Sequence, residues 1–283
     1  MRVAHSADEI RRQLQSLRKS QSIAFVPTMG CLHDGHLSLI RKAKALADIV
    51  VVSIYVNPLQ FGANEDLDKY PRTFEADAKL CAEAGVDFIF HPSTLYGKNG
   101  PAITLQAAAS LCDCLCGASR PGHFDGVVTV VNILFNIVQP DIAVFGEKDW
   151  QQLTIIRRMV SDLHMPVEVV AAETIREKDG LAMSSRNRYL TADDRTAAIA
   201  ISQALRSMQR LAASGESDID TLKQEALTIL ANAGITPEYL DIRHPASLKN
   251  RRKLNSLRPA RAFIAARVGT ARLIDNMPLE LTQ

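Results

Sequence analysis

Between Ser22 and about Glu173, short apolar runs rich in β-branched residues alternate with stretches of helical pattern, and nothing constrains this chain more than that alternation. A strand, a covering helix and a further strand repeat in this way when the strands lie parallel in one sheet. Strands are predicted over residues 23–26, 49–56, 88–90, 142–145 and 167–171, and helices over 35–47, 74–84 and 150–162. Pro27 should end the first strand, because it has no N–H to give a ladder. The apolar run 127–138 carries Thr129, Asn132 and Asn136 on one helical stripe, which makes it a buried helix rather than a strand.

Beyond about residue 175 the pattern changes. Thr191 with Asp193 and Asp194 caps the start of a long helix reaching about residue 213. A second helix is expected over 219–233, then strands near 239–243 and 261–268 and a short one over 271–274, the last two joined by a turn at Gly269-Thr270. The expectation is a Rossmann-like parallel-sheet domain over 1–174, followed by a smaller α+β domain over 175–283. A chain of 283 residues with 47% apolar and 23% charged residues can build both cores. Its formal charge of +2 gives no electrostatic footprint for nucleic acid. The run 127–138 is too short to span a bilayer, and residues 1–9 lack the apolar core of a signal peptide. With five unevenly spaced cysteines, the chain reads as cytoplasmic.

Polar, turn-forming residues follow three of the strands: Pro27-Thr28-Met29-Gly30 after the first, Asn57-Pro58-Leu59-Gln60-Phe61 after the second, and Gly146-Glu147-Lys148-Asp149 after the fourth. Open parallel sheets bind ligands beyond the carboxyl ends of their strands, so these loops should converge on one site. In the first loop His33 and His36 bracket Asp34-Gly35 where strand gives way to helix. Backbone N–H groups at the start of that helix should face the crevice, Gly35 should let a ligand approach closely, and both imidazoles can donate to phosphate oxygens. Residue types alone leave a second reading open, in which the two rings are satisfied structural groups.

Met183-Ser184-Ser185-Arg186 sits at the junction of the two parts. Two hydroxyls and a bidentate guanidinium suit a triphosphate, while a capped, solvated loop is the plainer alternative. Arg120 and His123 lie on a loop whose path is fixed by glycines and a proline, within reach of a carboxylate or phosphate. Glu65, Asp66 and Asp68 offer either magnesium ligands or an ordinary surface. Cys112, Cys114 and Cys116 lack the second half of a zinc site, and read as reduced, partly buried thiols in a small helix or turn.

Taken together, the blocks Pro27 to His36, Val56 to Phe61, Tyr70 to Thr73, Arg120 to Phe124, Phe145 to Gln152, Asp179 to Asn187 and Arg272 to Asn276 resemble the pantoate–β-alanine ligase family of the nucleotidyltransferase superfamily. The His-x-Gly-His element alone is shared by many nucleotidyl-transferring enzymes; the accompanying blocks carry the particular reaction. The resemblance implies ATP-dependent joining of (R)-pantoate to β-alanine through a pantoyl adenylate, releasing AMP and pyrophosphate, with magnesium accompanying ATP and the chain acting as a homodimer. It implies that Met29, Gly30, Cys31, Leu32, His33, Asp34, Gly35 and His36 line ATP, together with Gly146, Glu147, Lys148, Asp149, Ile175, Met183, Ser184, Ser185 and Arg186. Pro27, Met29, Asn57, Gln60, Arg120 and Gln152 would hold pantoate or β-alanine, and Asp77 is the candidate metal ligand. Catalysis would fall to His33, His36, Lys148, Ser184, Ser185 and Arg186. The family's proton donor corresponds to His36, yet a carboxylate attacking phosphorus has no proton to remove, so hydrogen-bond donation by His33 and His36 suffices. Local departures fall at residues 92–97 and at Cys116, outside these blocks.

Overall fold

A computed structural model describes residues 1–62, 65 and 67–281. Asp66, one of the acids singled out above, lies outside the described residues. The chain divides into two compact units, one made of residues 1–109, 120–147 and 155–173 and the other of 110–119, 148–154 and 174–283. Among the described residues no helix is long and apolar enough to cross a membrane.

The first unit is built on β1 (Arg2–Ala4), β2 (Ile23–Thr28), β3 (Ile49–Ile54), β4 (Phe88–Phe90), β5 (Ile142–Gly146) and β6 (Glu168–Ala172). Its helices include α1 (Ala7–Gln15), α2 (Asp34–Leu46), α3 (Phe74–Glu83) and α6 (His123–Val138). All strand pairs are parallel, in the order β1-β4-β3-β2-β5-β6. From β2 the chain moves outward through β3 and β4, then resumes on the other side at β5, so the switch point of the sheet lies between β2 and β5. β3 is buried along its whole length, as a strand covered on both faces must be.

Pro27 does not end β2. The carbonyls of Ser22 and Thr28 accept from β3 and its following residue, at Ile49 (3.0 Å) and Tyr55 (3.1 Å), whereas that of Ile23 accepts from Asp141 on the β5 side (2.9 Å). Odd-numbered residues therefore turn their backbone toward β5, and pairing with β5 stops at Phe25. The missing N–H of Pro27 faces the β5 side, where pairing stops at Phe25, and β2 runs on to Thr28 against β3. β1 and α1 were not legible as elements: β1 has three residues, too few to show a period, and α1 buries only Ile10 and Leu14. Helix α6 begins one turn earlier than its apolar run, at His123.

The second unit carries the short α4 (Ala109–Cys112) and α5 (Leu115–Ser119), then α8 (Ala192–Ala213), α9 (Ile219–Asn232), and an antiparallel sheet in the order β7 (Pro237–Arg243), β8 (Ala260–Val268), β9 (Ala271–Leu279). Thr191 caps α8 as expected, its hydroxyl accepting the N–H of Asp194 while the Asp194 carboxylate accepts that of Thr191. Ile201, Leu205, Met208, Leu222, Ile264 and Met277 form the centre of this core. The turn at Gly269-Thr270 joins β8 to β9, with Gly269 at φ 55°. β9 is longer than the predicted 271–274. It continues through Asp275 and Asn276, both buried and hydrogen-bonded, and Pro278 is tolerated because β9 is an edge strand. All five cysteines are free thiols, with Cys114 and Cys116 buried around α5.

Candidate active site

The turn after β2 is held by side chains. Thr28 donates its hydroxyl to the carbonyl of Ser53 (2.7 Å) and accepts the N–H of Gly30 (3.2 Å). Gly30 (φ 82°) and Cys31 (φ 53°) then both enter the left-handed region, which costs a glycine nothing and a cysteine something. Asp77 of α3 supports this path from a position only 1% exposed. Its Oδ1 accepts the N–H of Leu32 (2.7 Å), and its Oδ2 accepts the N–H of Cys31 (2.9 Å) and the hydroxyl of Thr73 (3.1 Å). Both oxygens of the candidate metal ligand are thus engaged with the chain itself. Among the described residues no group of three His, Cys, Asp or Glu side chains could hold a metal ion.

His33 is the N-cap of α2. Its ring accepts the N–H of Gly35 (3.1 Å), and Nδ1 of His36 accepts the N–H of His33 (3.3 Å), a capping box built from two imidazoles whose centroids are 4.1 Å apart. An Nδ1 that accepts carries no proton, so each ring is neutral with its proton on Nε2. This corrects one expectation. The N–H groups of Gly30, Cys31, Leu32, His33 and Gly35 are bonded within the protein, so these backbone donors are engaged by the chain itself rather than turned toward an anion.

Behind Met29 lies a second cluster. Gln60 Nε2 donates to Met29 Sδ (3.2 Å), and Gln60 Oε1 accepts from Asn57 Nδ2 (3.0 Å), which also donates to the carbonyl of Gly126 (3.1 Å). Asn57 is 1% exposed, and its Oδ1 accepts from Leu59 N–H (3.2 Å) and the Tyr96 hydroxyl (2.6 Å). Burial pushes the Tyr96 hydroxyl well above its ordinary value, so it remains a donor. The Gln60 carbonyl is gripped by Arg120 Nη2 (3.2 Å) and by His123 Nδ1, which donates to it at 2.8 Å. Arg120 forks onto Glu65 with contacts of 2.7 and 2.5 Å. Burial pushes the Glu65 carboxyl up, but the hydrogen bonds and charge of Arg120 outweigh it and hold it below its ordinary value. The fork is therefore intact at neutral pH and is lost only as pH falls through that lowered value. Asn57 and Arg120, both expected to touch substrate, here fix Gln60. Tyr96, Glu65 and Gly126 were not recognised as parts of this cluster, since none stands in a motif with it.

Gly126 is needed here for its lack of a side chain. A Cβ on it would lie 2.2 Å from the carbonyl oxygen of Leu59 and 2.7 Å from the nitrogen of Gln60, both backbone atoms. Gly126→Ala is expected to cost about 1–3 kcal/mol in urea unfolding, since the Pro58–Gln60 turn has to move. Unchanged stability would contradict this packing.

In the second unit Lys148 stands in the turn Glu147–Asp149, and its carbonyl accepts from Asn276 Nδ2 (2.9 Å). Residues 175–183 form a tight loop, closed by hydrogen bonds from Met183 N–H to the Ile175 carbonyl (2.9 Å) and from Glu177 N–H to Leu181 (2.8 Å). Arg176 pins the loop by a fork onto buried Asp275, at 2.6 and 2.9 Å. The Ser184 hydroxyl oxygen accepts the N–H of Arg186 (3.3 Å), capping the turn Ser185–Tyr189, so the capped-loop reading describes its acceptor side. Gln152 is half-buried near the start of α7 (Trp150–Asp162), while its neighbour Gln151 is buried and ties down the carbonyls of Leu111 (2.8 Å) and Cys114 (2.9 Å). Asp275, Asn276 and Arg176 were missed as supports; their signal was the block Arg272 to Asn276, noted only as a match.

A Rossmann-like parallel sheet with a His-x-Gly-His turn leaving its switch-point strand, and paired imidazole donors on that turn, defines an enzyme of the nucleotide-handling α/β class. Comparison with known proteins narrows this. The sequence profile of the family described as pantoate-beta-alanine ligase matches residues 2–278. Pantothenate synthetase of Pseudomonas putida is 48% identical over 289 aligned positions, covering 100% of this chain and 99% of its own. That of Shewanella baltica is 49% identical, covering 95% and 96%. Among solved structures, pantothenate synthetase from Thermus thermophilus superposes with a TM-score of 0.93 at 43% identity, over 99% of this chain and 100% of its own. The Francisella tularensis pantoate-beta-alanine ligase, solved with beta-gamma ATP and beta-alanine, gives 0.82 at 35% identity, over 98% and 97%. The chain belongs to the pantoate–β-alanine ligase family.

Proposed function

We propose that this chain joins (R)-pantoate to β-alanine at the expense of ATP, in two steps. A carboxylate oxygen of pantoate attacks the α-phosphorus and pyrophosphate leaves, giving pantoyl adenylate. The amine of β-alanine then attacks the acyl carbon, the acyl C–O bond breaks, AMP departs with that oxygen, and the amine proton passes to solvent. Neither step needs a nucleophile from the protein, so the work is placing two anions together and neutralising the charge that shifts toward pyrophosphate. The observation that carries this reading is the double-imidazole cap, whose locked Nδ1 atoms make Nε2–H donors of both rings in a family that uses ATP.

In this reading Met29 to His36, Gly146 to Asp149, Ile175 and Met183 to Arg186 contact ATP, with His33, His36, Lys148, Ser184, Ser185 and Arg186 acting on the phosphates. Pro27, Met29, Gln60 and Gln152 contact pantoate or β-alanine. Asn57 and Arg120 act on substrate through Gln60, which their hydrogen bonds hold from both ends. Magnesium enters as the companion of the triphosphate; Asp77 is bonded to backbone on both oxygens, and Glu65 is taken by the Arg120 fork. The family resemblance further supports a nucleotide- and pantoate-binding domain over 1–174 with a lid domain over 175–283, a homodimer and a cytoplasmic location.

The test is AMP formation by the purified chain. It is expected to require pantoate and β-alanine together, whereas pyrophosphate–ATP exchange should require pantoate alone. AMP release that ignores β-alanine, or exchange supported equally by unrelated carboxylic acids, would point to a different nucleotidyl-transfer reaction.

A further inference from the structure

The acceptor of Asn276 is a backbone carbonyl that belongs to the turn carrying Lys148, and the group behind Asn276 fixes which way its amide faces. Oδ1 accepts from Nη1 of Arg261, which can only donate, so Nδ2 is the atom that meets the Lys148 carbonyl, at 2.9 Å. Asn276 is 4% and Arg261 7% exposed. The Arg261 guanidinium lies 3.4 Å over the ring of Trp150, and the Trp150 indole N–H donates to the Pro245 carbonyl (2.9 Å). Adjacent Asp275 points to the opposite face of β9, as alternate strand residues do, and takes the fork of Arg176. One buried dipeptide thus reaches in two directions, to the Lys148 turn and to the loop 175–183.

We propose that Asn276 is a positioning residue for catalysis: its amide, set by Arg261, fixes the backbone of Lys148 so that the ammonium meets the ATP phosphates in the adenylation step. The inference rests on the reading of Lys148 as a phosphate contact. A lysine on a four-carbon stem is a flexible point charge, and a small displacement of its backbone removes it from the developing charge. Asn276, 4% exposed with its amide taken by Arg261 and the Lys148 carbonyl, acts through Lys148.

Asn276→Asp separates this role from simple packing. The acid keeps the Arg261 partner, now as an ion pair, but sets an acceptor against the Lys148 carbonyl. Turnover in pantoate-dependent pyrophosphate–ATP exchange is expected to fall about tenfold or more with the KM for ATP within about threefold. Emission of Trp150, the only tryptophan, should stay as in the parent because Arg261 remains in place. In a Lys148→Ala background the same substitution should cost less than about twofold, since the group it positions is gone. Exchange within twofold of the parent for Asn276→Asp, or an equal loss with and without Lys148, overturns the inference while leaving the Lys148 reading intact. If Lys148→Ala alone leaves exchange unchanged, the underlying reading fails first. Should the aspartate variant not fold, Asn276→Ser, which shortens the arm, carries the same expectations for exchange in both backgrounds.

Discussion

Replacing His36 by alanine is expected to slow pyrophosphate–ATP exchange by about 10²–10³-fold while pantoate affinity stays within about threefold. Exchange reports adenylate formation, the step in which charge moves toward the leaving pyrophosphate, and an Nε2–H donor is worth most there. Glutamine sharpens the test. Its amide nitrogen reaches about as far as Nε2 and donates, but it cannot release a proton at neutral pH, so His36→Gln should recover part of the lost rate. A glutamine variant as slow as alanine would instead mark His36 as an acid. Equal rates in the alanine variant and the parent would remove His36 from the reaction. His33→Ala carries the same loss plus that of a helix cap, about 1 kcal/mol of stability, because its ring accepts the N–H of Gly35.

Asp77→Ala should be the most damaging substitution outside the residues that contact substrate. It strands the N–H groups of Cys31 and Leu32, in residues 1% and 7% exposed, and withdraws support from Cys31 at φ 53°. Two hydrogen bonds to a charged acceptor at about 1.5–3 kcal/mol each give a loss of about 3–6 kcal/mol in urea unfolding. Exchange should fall with it, because the turn that aims His33 and His36 is no longer held. Asn at this position keeps one acceptor and sets an amide N–H against the other donor, so it should lie between alanine and the parent. Excess magnesium should restore neither variant. Recovery by magnesium would return Asp77 to the role of metal ligand.

The sheet was legible because buried parallel strands are short apolar runs, and because β2, β3 and β5 are each followed by polar turns. What escaped were features whose cause is distant in sequence. Pro27 looked like a strand end since nothing nearby in sequence says that its N–H side faces β5 while its pairing to β3 runs on. The predicted strand stopped short of Asp275 and Asn276, whose partners Arg176 and Lys148 lie 99 and 128 positions away. The site was legible in its motifs and not in the hydrogen bonds that hold them. The histidine spacing suggested phosphate binding, but only the geometry shows that the rings cap α2 themselves and leave Nε2 as the proton-bearing atom. Asn57, Arg120 and Asp77 were found as polar residues in suggestive places; that they hold Gln60 and the Gly30–Leu32 turn depends on burial and distances.

The central claim is that pantoate attacks ATP through its carboxylate and that AMP later leaves with one of those oxygens. Pantoate labelled with ¹⁸O in its carboxylate, turned over with ATP and β-alanine and followed by mass spectrometry of the nucleotide, tests it most directly. One labelled oxygen in the phosphate of each AMP is the predicted result. Unlabelled AMP formed alongside pantothenate would contradict the adenylate route and the roles drawn from it.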